Sequence, residues 1–288
     1  MALAKTPDKK RAQKVDRQHM SVEPVLELQN VSAGYPDRTV LRDVTFRINR
    51  GELLCVIGPN GGGKSTLLAT IAGRIPALSG SILLEGKQAP SSVRERARLL
   101  SVLYTDRFRG ENMTAREVVA SGRYPWTGYF GRLECADREI LQDVMRELQL
   151  TELAEQPFSL QSDGTKQRIL IARALCQSPQ ILLLDEPLVY LDLARQLELV
   201  RCLRNRCRKD GLTVLMSVHD PQIARQISDR VITVSRQGEV RLGRPEEIFT
   251  EEIIRDLYQL PPDSYDPRRG IRFSCSGDST YRHAAQGS

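Results

Sequence analysis

Long apolar runs are missing from this chain. The longest, such as Leu53 to Ile57 and Ile181 to Leu184, fall far short of the ~18 residues that a membrane-spanning helix needs. The chain is therefore not expected to cross a bilayer by itself. No apolar signal-peptide core stands near its start, so secretion is not expected either. Histidine is scarce: His19 and His283 lie near the ends, and His219 is the single histidine of the central region. None of the six cysteines has the CxxC spacing of a metal-ligand pair, and they read as reduced thiols of the cytosol. Broad basic charge is also absent. Of the formal net charge of +6, residues 1–20 hold +4 and residues 261–288 hold +1, so residues 21–260 carry only +1. That argues against a nucleic-acid-binding face, which would spread positive charge over one side of a fold.

What is present divides into three zones. Residues 1–22 are polar and Lys/Arg-rich without periodicity, and read as a solvated tail. Residues 24–260 alternate strand-like and helix-like segments, the pattern of an α/β fold. Residues 261–288 begin Pro-Pro-Asp, turn Gly/Ser-rich and lack an amphipathic period, which predicts a loosely ordered end. Strands are expected at Val25–Val31, Leu53–Ile57, Ile181–Leu184, Thr213–Val218 and Val231–Val234. A mostly helical region is expected over about 112–176. It contains a capping box at Thr114 and Glu117, and an amphipathic helix over about 137–150.

The chemistry starts at Gly58-Pro59-Asn60-Gly61-Gly62-Gly63-Lys64-Ser65, which satisfies GxxxxGK[ST] between an apolar strand and a helix. Glycines let successive backbone N–H groups turn inward as a nest for anionic oxygens. The helix beginning near Lys64 adds its positive end. Lys64 is expected on the β and γ phosphates of a nucleotide, Ser65 on Mg²⁺, and Thr66 in backbone support. The second half is Ile181-Leu182-Leu183-Leu184-Asp185-Glu186-Pro187, an apolar strand that ends in two acids. Asp185 would hold Mg²⁺, and Glu186 would orient and deprotonate an attacking water.

Those two motifs fit many P-loop ATPases. The segment Gln161-Ser162-Asp163-Gly164-Thr165-Lys166-Gln167-Arg168 narrows the choice, because it resembles the LSGGQ signature of the ABC ATPases and precedes Asp185 by a helix and a strand. The resemblance covers roughly 25–260. It implies a P-loop NTPase ABC cassette: a RecA-like parallel sheet core, an antiparallel β subdomain and a helical signature subdomain. It implies ATP and Mg²⁺ as cofactors, with Ser162 and Gly164 of one subunit closing on the ATP held by a second copy or a homologous ATPase subunit. It also places Tyr35 against adenine, Asp192 in the loop that crosses the dimer, and His219 on the γ-phosphate. Two positions depart from the family pattern. Thr105 stands where a Mg²⁺-ligating glutamine is usual, and Asp163 replaces a glycine. An acid there would repel a γ-phosphate unless it pointed away, so Asp163 is expected to cap the following helix.

Four aromatics, including the only Trp, fall within Gly122–Arg132. This stretch resembles the ATPases of iron–siderophore, haem and cobalamin importers. By that resemblance the chain is a peripheral subunit on the cytoplasmic face of the membrane. It would drive polytopic permease subunits and be served indirectly by a substrate-binding protein. Other readings are an exporter's motor or a soluble ABC ATPase. Ribosome-acting members usually carry two cassettes in one chain, and DNA-repair members carry a long coiled coil between the nucleotide motifs. Only 121 positions separate Lys64 from Asp185, with no sustained heptads.

Overall fold

Leu53–Ile57 is a run of five apolar residues, all fully buried, as expected of a strand covered on both faces. It is the third strand of a computed structural model that describes residues 24–104, 110, 112–128 and 131–272. Along the chain come β1 (Pro24–Tyr35), β2 (Arg38–Asn49), β3 (Leu53–Ile57), α1 (Lys64–Ile71), β4 (Ala77–Leu84) and β5 (Lys87–Gln88). Next are α2 (Val93–Leu99), β6 (Leu100–Leu103), α3 (Ala115–Ala120), α4 (Cys135–Glu147) and α5 (Asp163–Cys176). Then follow β7 (Ile181–Leu184), α6 (Leu193–Asp210), β8 (Thr213–Ser217), α7 (Pro221–Ile227), β9 (Arg230–Val234) and β10 (Val240–Gly243). The last elements are α8 (Pro245–Ile248), α9 (Glu251–Tyr258), β11 (Tyr265–Asp266) and β12 (Gly270–Ile271).

Six strands form the central sheet in the order β10-β9-β3-β8-β7-β6. All its pairings are parallel except β10 on β9. A separate antiparallel sheet runs β2-β1-β4-β5. The side-chain period of two sorts the core. Leu53, Cys55 and Ile57 face one hydrophobic cluster with α3–α6, while Leu54 and Val56 face another with α1 and the antiparallel sheet. The central sheet is thus packed on both faces, and its parallel strands end at one edge. Ligands gather at such an edge in open α/β sheets.

The capping box is present: Thr114 accepts from the Glu117 amide, and the Glu117 carboxylate accepts from the Thr114 amide at 2.8 Å. Residues 261–272, grouped by composition with a loose end, are folded. β11 and β12 pair, and Tyr265 is buried against the core that contains α9. Local composition hides this because the burial comes from tertiary packing, on α9 just upstream and on α7 farther back. The tail at 1–22 lies outside the described residues.

Candidate active site

The turn after β3 sets the site. Gly58, Gly61 and Gly63 have φ of 151°, 75° and 110°, a backbone region in which side chains are strained. At Gly63 a Cβ would also lie 2.8 Å from Val40 Cγ1, and at Gly58 only 2.1 Å from the Val234 carbonyl. Gly63 is the N-cap of α1, and no side chain bonds the first-turn amides. The loop is therefore a backbone-lined concavity with free donors at a helix start, which fits the oxygens of a polyphosphate.

Lys64 lies within this loop and donates from Nζ to the carbonyls of Gly58 at 2.8 Å and Pro59 at 3.1 Å. An ammonium has three donors, so one remains. Burial pushes its pKa down, and the Glu186 and Asp185 carboxylates pull it part of the way back. It is a cation stripped of much of its water beside two acids, and an anionic ligand would complete its partners.

The acids come from the tip of β7. Parallel pairing sets Leu184 opposite Met216, so the next residues, Asp185 and Ser217, also meet. Ser217 Oγ donates to Asp185 Oδ1 at 2.7 Å and accepts from the Glu186 amide at 2.7 Å. Sequence reasoning missed Ser217. Its one signal was its place two residues before His219. Glu186 has φ of 52°, and its Oε1 lies 2.7 Å from His219 Nε2. Ser65 and Asp185 supply a hydroxyl and a carboxylate oxygen, a donor set that suits a hard divalent cation. Among the described residues no cluster of three or more His, Cys, Asp or Glu could hold a metal. Such a cation would therefore draw its other ligands from phosphate oxygens and water.

A cleft of about 500 Å³ is lined by Tyr35, Arg38, Asn60, Lys64, Glu186 and His219, together with Gly61, Gly63, Ser65, Thr66 and Val40. Expected residues from the phosphate loop, β7, β8 and the β1 tip therefore come together. Gly62 continues the same turn, its amide donating to the Pro59 carbonyl at 3.1 Å. The cleft lining includes no residue of 162–168 and not Asp192. Ser162 is the N-cap of α5, its Oγ accepting from the Thr165 amide at 3.3 Å. The expectation that Asp163 caps this helix is corrected. Asp163 is the first helical residue, exposed in the first turn, where its charge suits the helix dipole. Gly164 packs so closely that a Cβ would lie 2.7 Å from the Tyr190 carbonyl. Asp192 caps α6 by accepting from the Arg195 amide at 2.8 Å. Thr105 lies outside the described residues.

A family model described as ABC transporter matches residues 41–189. The chain is 38% identical over 242 residues to an uncharacterised ABC transporter ATP-binding protein of Methanocaldococcus jannaschii, covering 84% of this chain and 83% of that one. It is 35% identical to the iron(3+)-hydroxamate import ATP-binding protein FhuC of Bacillus subtilis, covering 84% of this chain and 91% of that one. Among solved structures it is similar to a chain from an inward-facing conformation of a metal-chelate type ABC transporter. That match has a TM-score of 0.70 and 27% identity, and covers 83% of this chain and 90% of the other.

Proposed function

The chain belongs to the ABC transporter ATP-binding family, and from that premise we propose that it is the motor of an importer for iron–siderophore, haem or cobalamin-type cargo. Its fold is the ABC ATPase cassette, and it is an ATP-binding ATPase. In the proposed cycle two copies, or this chain and a homologous ATPase subunit, close head to tail on two Mg-ATP. Closure pulls on membrane permease subunits, and hydrolysis reopens the pair.

One observation carries this reading. Glu186 and His219, 2.7 Å apart, share a cleft with Lys64 while the 162–168 turn stands outside it. Each chain thus holds half of what a closed site needs and presents the other half, the exposed Ser162 end of α5, at its surface. Lys64, Ser65 and the loop amides hold the phosphates, and Ser65 and Asp185 hold Mg²⁺. When bound, that cation neutralises charge on the phosphate oxygens. Glu186 Oε1 takes the proton of the attacking water, and His219 Nε2 fixes the carboxylate. Likeness to FhuC and to the metal-chelate type transporter supports the cargo class, as does the Gly122–Arg132 stretch. No helix among the described residues is long and apolar enough to cross a membrane, which fits a peripheral seat on the cytoplasmic face.

Glu186→Gln is the test. It keeps the shape of the side chain and removes the base, so Mg-ATP is expected to trap a dimer on a sizing column, with hydrolysis reduced about 10²–10⁴-fold. A monomer at saturating Mg-ATP would count against the head-to-tail site. Gentle solubilisation of native membranes is expected to bring a polytopic protein down with the tagged chain. Recovery from the soluble fraction alone would end the transporter reading and leave the ATPase.

A further inference from the structure

We propose that Arg38 binds the α-phosphate of the nucleotide, an inference that rests on the nucleotide reading of the cleft. β1 and β2 join through the two-residue loop Pro36-Asp37, and Tyr35 pairs directly with Arg38. Directly paired residues of an antiparallel ladder put their side chains on the same face, with Cβ atoms about 5 Å apart. Both residues line the 500 Å³ cleft.

Val40 supplies the second coordinate. It lies against Gly63, where its Cγ1 is 2.8 Å from the position a Cβ would take. A bulge opposite Ala33 and Gly34 interrupts the alternation of β2 at Val40, and both Arg38 and Val40 line the cleft, with Arg38 lying up to about 7 Å back along the strand, toward Tyr35. A nucleotide with its base on Tyr35 and its terminal phosphates at Lys64 and Ser65 must pass its α-phosphate between those points. Arg38 stands there.

The chemistry matches the place. The other cation of the lining, Lys64, sits inside the loop with two of its three donors on the Gly58 and Pro59 carbonyls, and the third serves the terminal phosphates. On β2 and just past its end, Arg47 is taken by Glu27 and Arg50 by Glu85, while Arg42 does not line the cleft. Among the described residues the Arg38 guanidinium has no such partner. A guanidinium offers a planar fork of donors that matches two oxygens of one phosphate.

Binding of Mg-ADP, of a non-hydrolysable ATP analogue and of adenosine to the full chain, by calorimetry and competition, tests the assignment. Arg38→Ala is expected to weaken ADP and the ATP analogue by the same factor, about tenfold, the size of one charge-assisted hydrogen bond. Adenosine, which has no phosphate, is expected to change less than about twofold, and the ADP loss is expected to shrink as salt is raised. Arg38→Lys restores part of the affinity by keeping the charge without the fork, and Arg38→Glu loses more than Ala. Unchanged ADP affinity in Arg38→Ala, or an equal loss for adenosine, overturns the proposal. A loss confined to the ATP analogue also overturns it, since it would move Arg38 to the γ-phosphate. Failure of the unmodified chain to bind any of the three would instead bring down the nucleotide reading, and Arg38's role with it.

Discussion

Glu186 occupies a left-handed backbone position with φ of 52°, which costs a non-glycine residue of order 1–3 kcal/mol. The Ser217 hydroxyl is what holds it there, accepting from the Glu186 amide while donating to the Asp185 carboxylate. One side chain thus fixes both acids. Ser217→Ala leaves a partly buried amide without its acceptor, at a cost of about 1–3 kcal/mol. If that cost falls on the geometry of Glu186, hydrolysis drops about tenfold or more. Steady-state phosphate release is expected to show the loss in kcat with KM for ATP little changed. Loss in KM alone would assign Ser217 to nucleotide binding. Ser217→Thr keeps the hydroxyl and is expected to recover activity.

At the scale of the element, α5 joins two surfaces. Its N-terminus carries the Ser162 cap and Gly164, and its fourteen residues span about 21 Å. At the other end its last carbonyls are satisfied from the 121–127 stretch. Arg123 donates to the Cys176 carbonyl at 2.9 Å, and Trp126 Nε1 donates to the Gln177 carbonyl at 2.7 Å. Unpaired C-terminal carbonyls need such donors. The aromatic stretch therefore changes environment within two residues: Arg123 is buried, while Tyr124 is 60% exposed. Arg123 also bonds Asp137 at 2.8 Å, with both side chains nearly inaccessible. Burial alone would raise the Asp137 pKa, but the Glu134 amide and Arg123 outweigh it and hold it down. Arg123→Ala leaves a buried carboxylate unpaired, and thermal or urea unfolding is expected to show a loss of about 3–5 kcal/mol. The folded carboxyl titrates below its unfolded value. The stability it contributes is therefore present above the ordinary carboxylate range, and is lost as pH falls through the folded pKa.

At the scale of the whole molecule, the central sheet is covered on both faces, and residues 261–272 pack against α9 and α7. Tyr265 is 2% exposed. Gly270, at φ of 85°, lies so near α7 that a Cβ would be 2.2 Å from Gln222 Nε2. Tyr258 of α9 lies near the phosphate loop: burial pushes its phenol pKa up, and the Gly58 amide pulls it partly back. α9, against which the 261–272 hairpin packs, thus lies beside the 58–65 loop. Removal of 261–288 is expected to lower stability by at least about 3–5 kcal/mol, the cost of deleting one large buried aromatic. A truncated chain with unchanged Tm would show that the hairpin contributes nothing to the fold.

Much of this was legible in the linear order of residues. The loop 58–65 is contiguous, its glycines are needed by the backbone of the turn itself, and the flanking strand and helix are local. The strands at Leu53–Ile57 and Ile181–Leu184 were legible because unbroken apolar runs bounded by turns leave few alternatives. Other features depend on which strands become neighbours. Ser217 reads as an ordinary serine until β8 pairs in parallel with β7 and sets it beside Asp185. Arg38 reads as an exposed turn residue until β2 passes Gly63. Asp163 was expected as a cap, but the helix begins one residue earlier than that requires, because the Ser162 hydroxyl already takes the Thr165 amide. The folded hairpin at 261–272 was invisible because its burial comes from packing on α9 and α7 and not from any apolar period of its own. Sequence determined the pieces whose geometry is set by their own backbone. Tertiary structure decided the contacts between pieces, since a parallel sheet brings to one edge residues separated by more than a hundred positions.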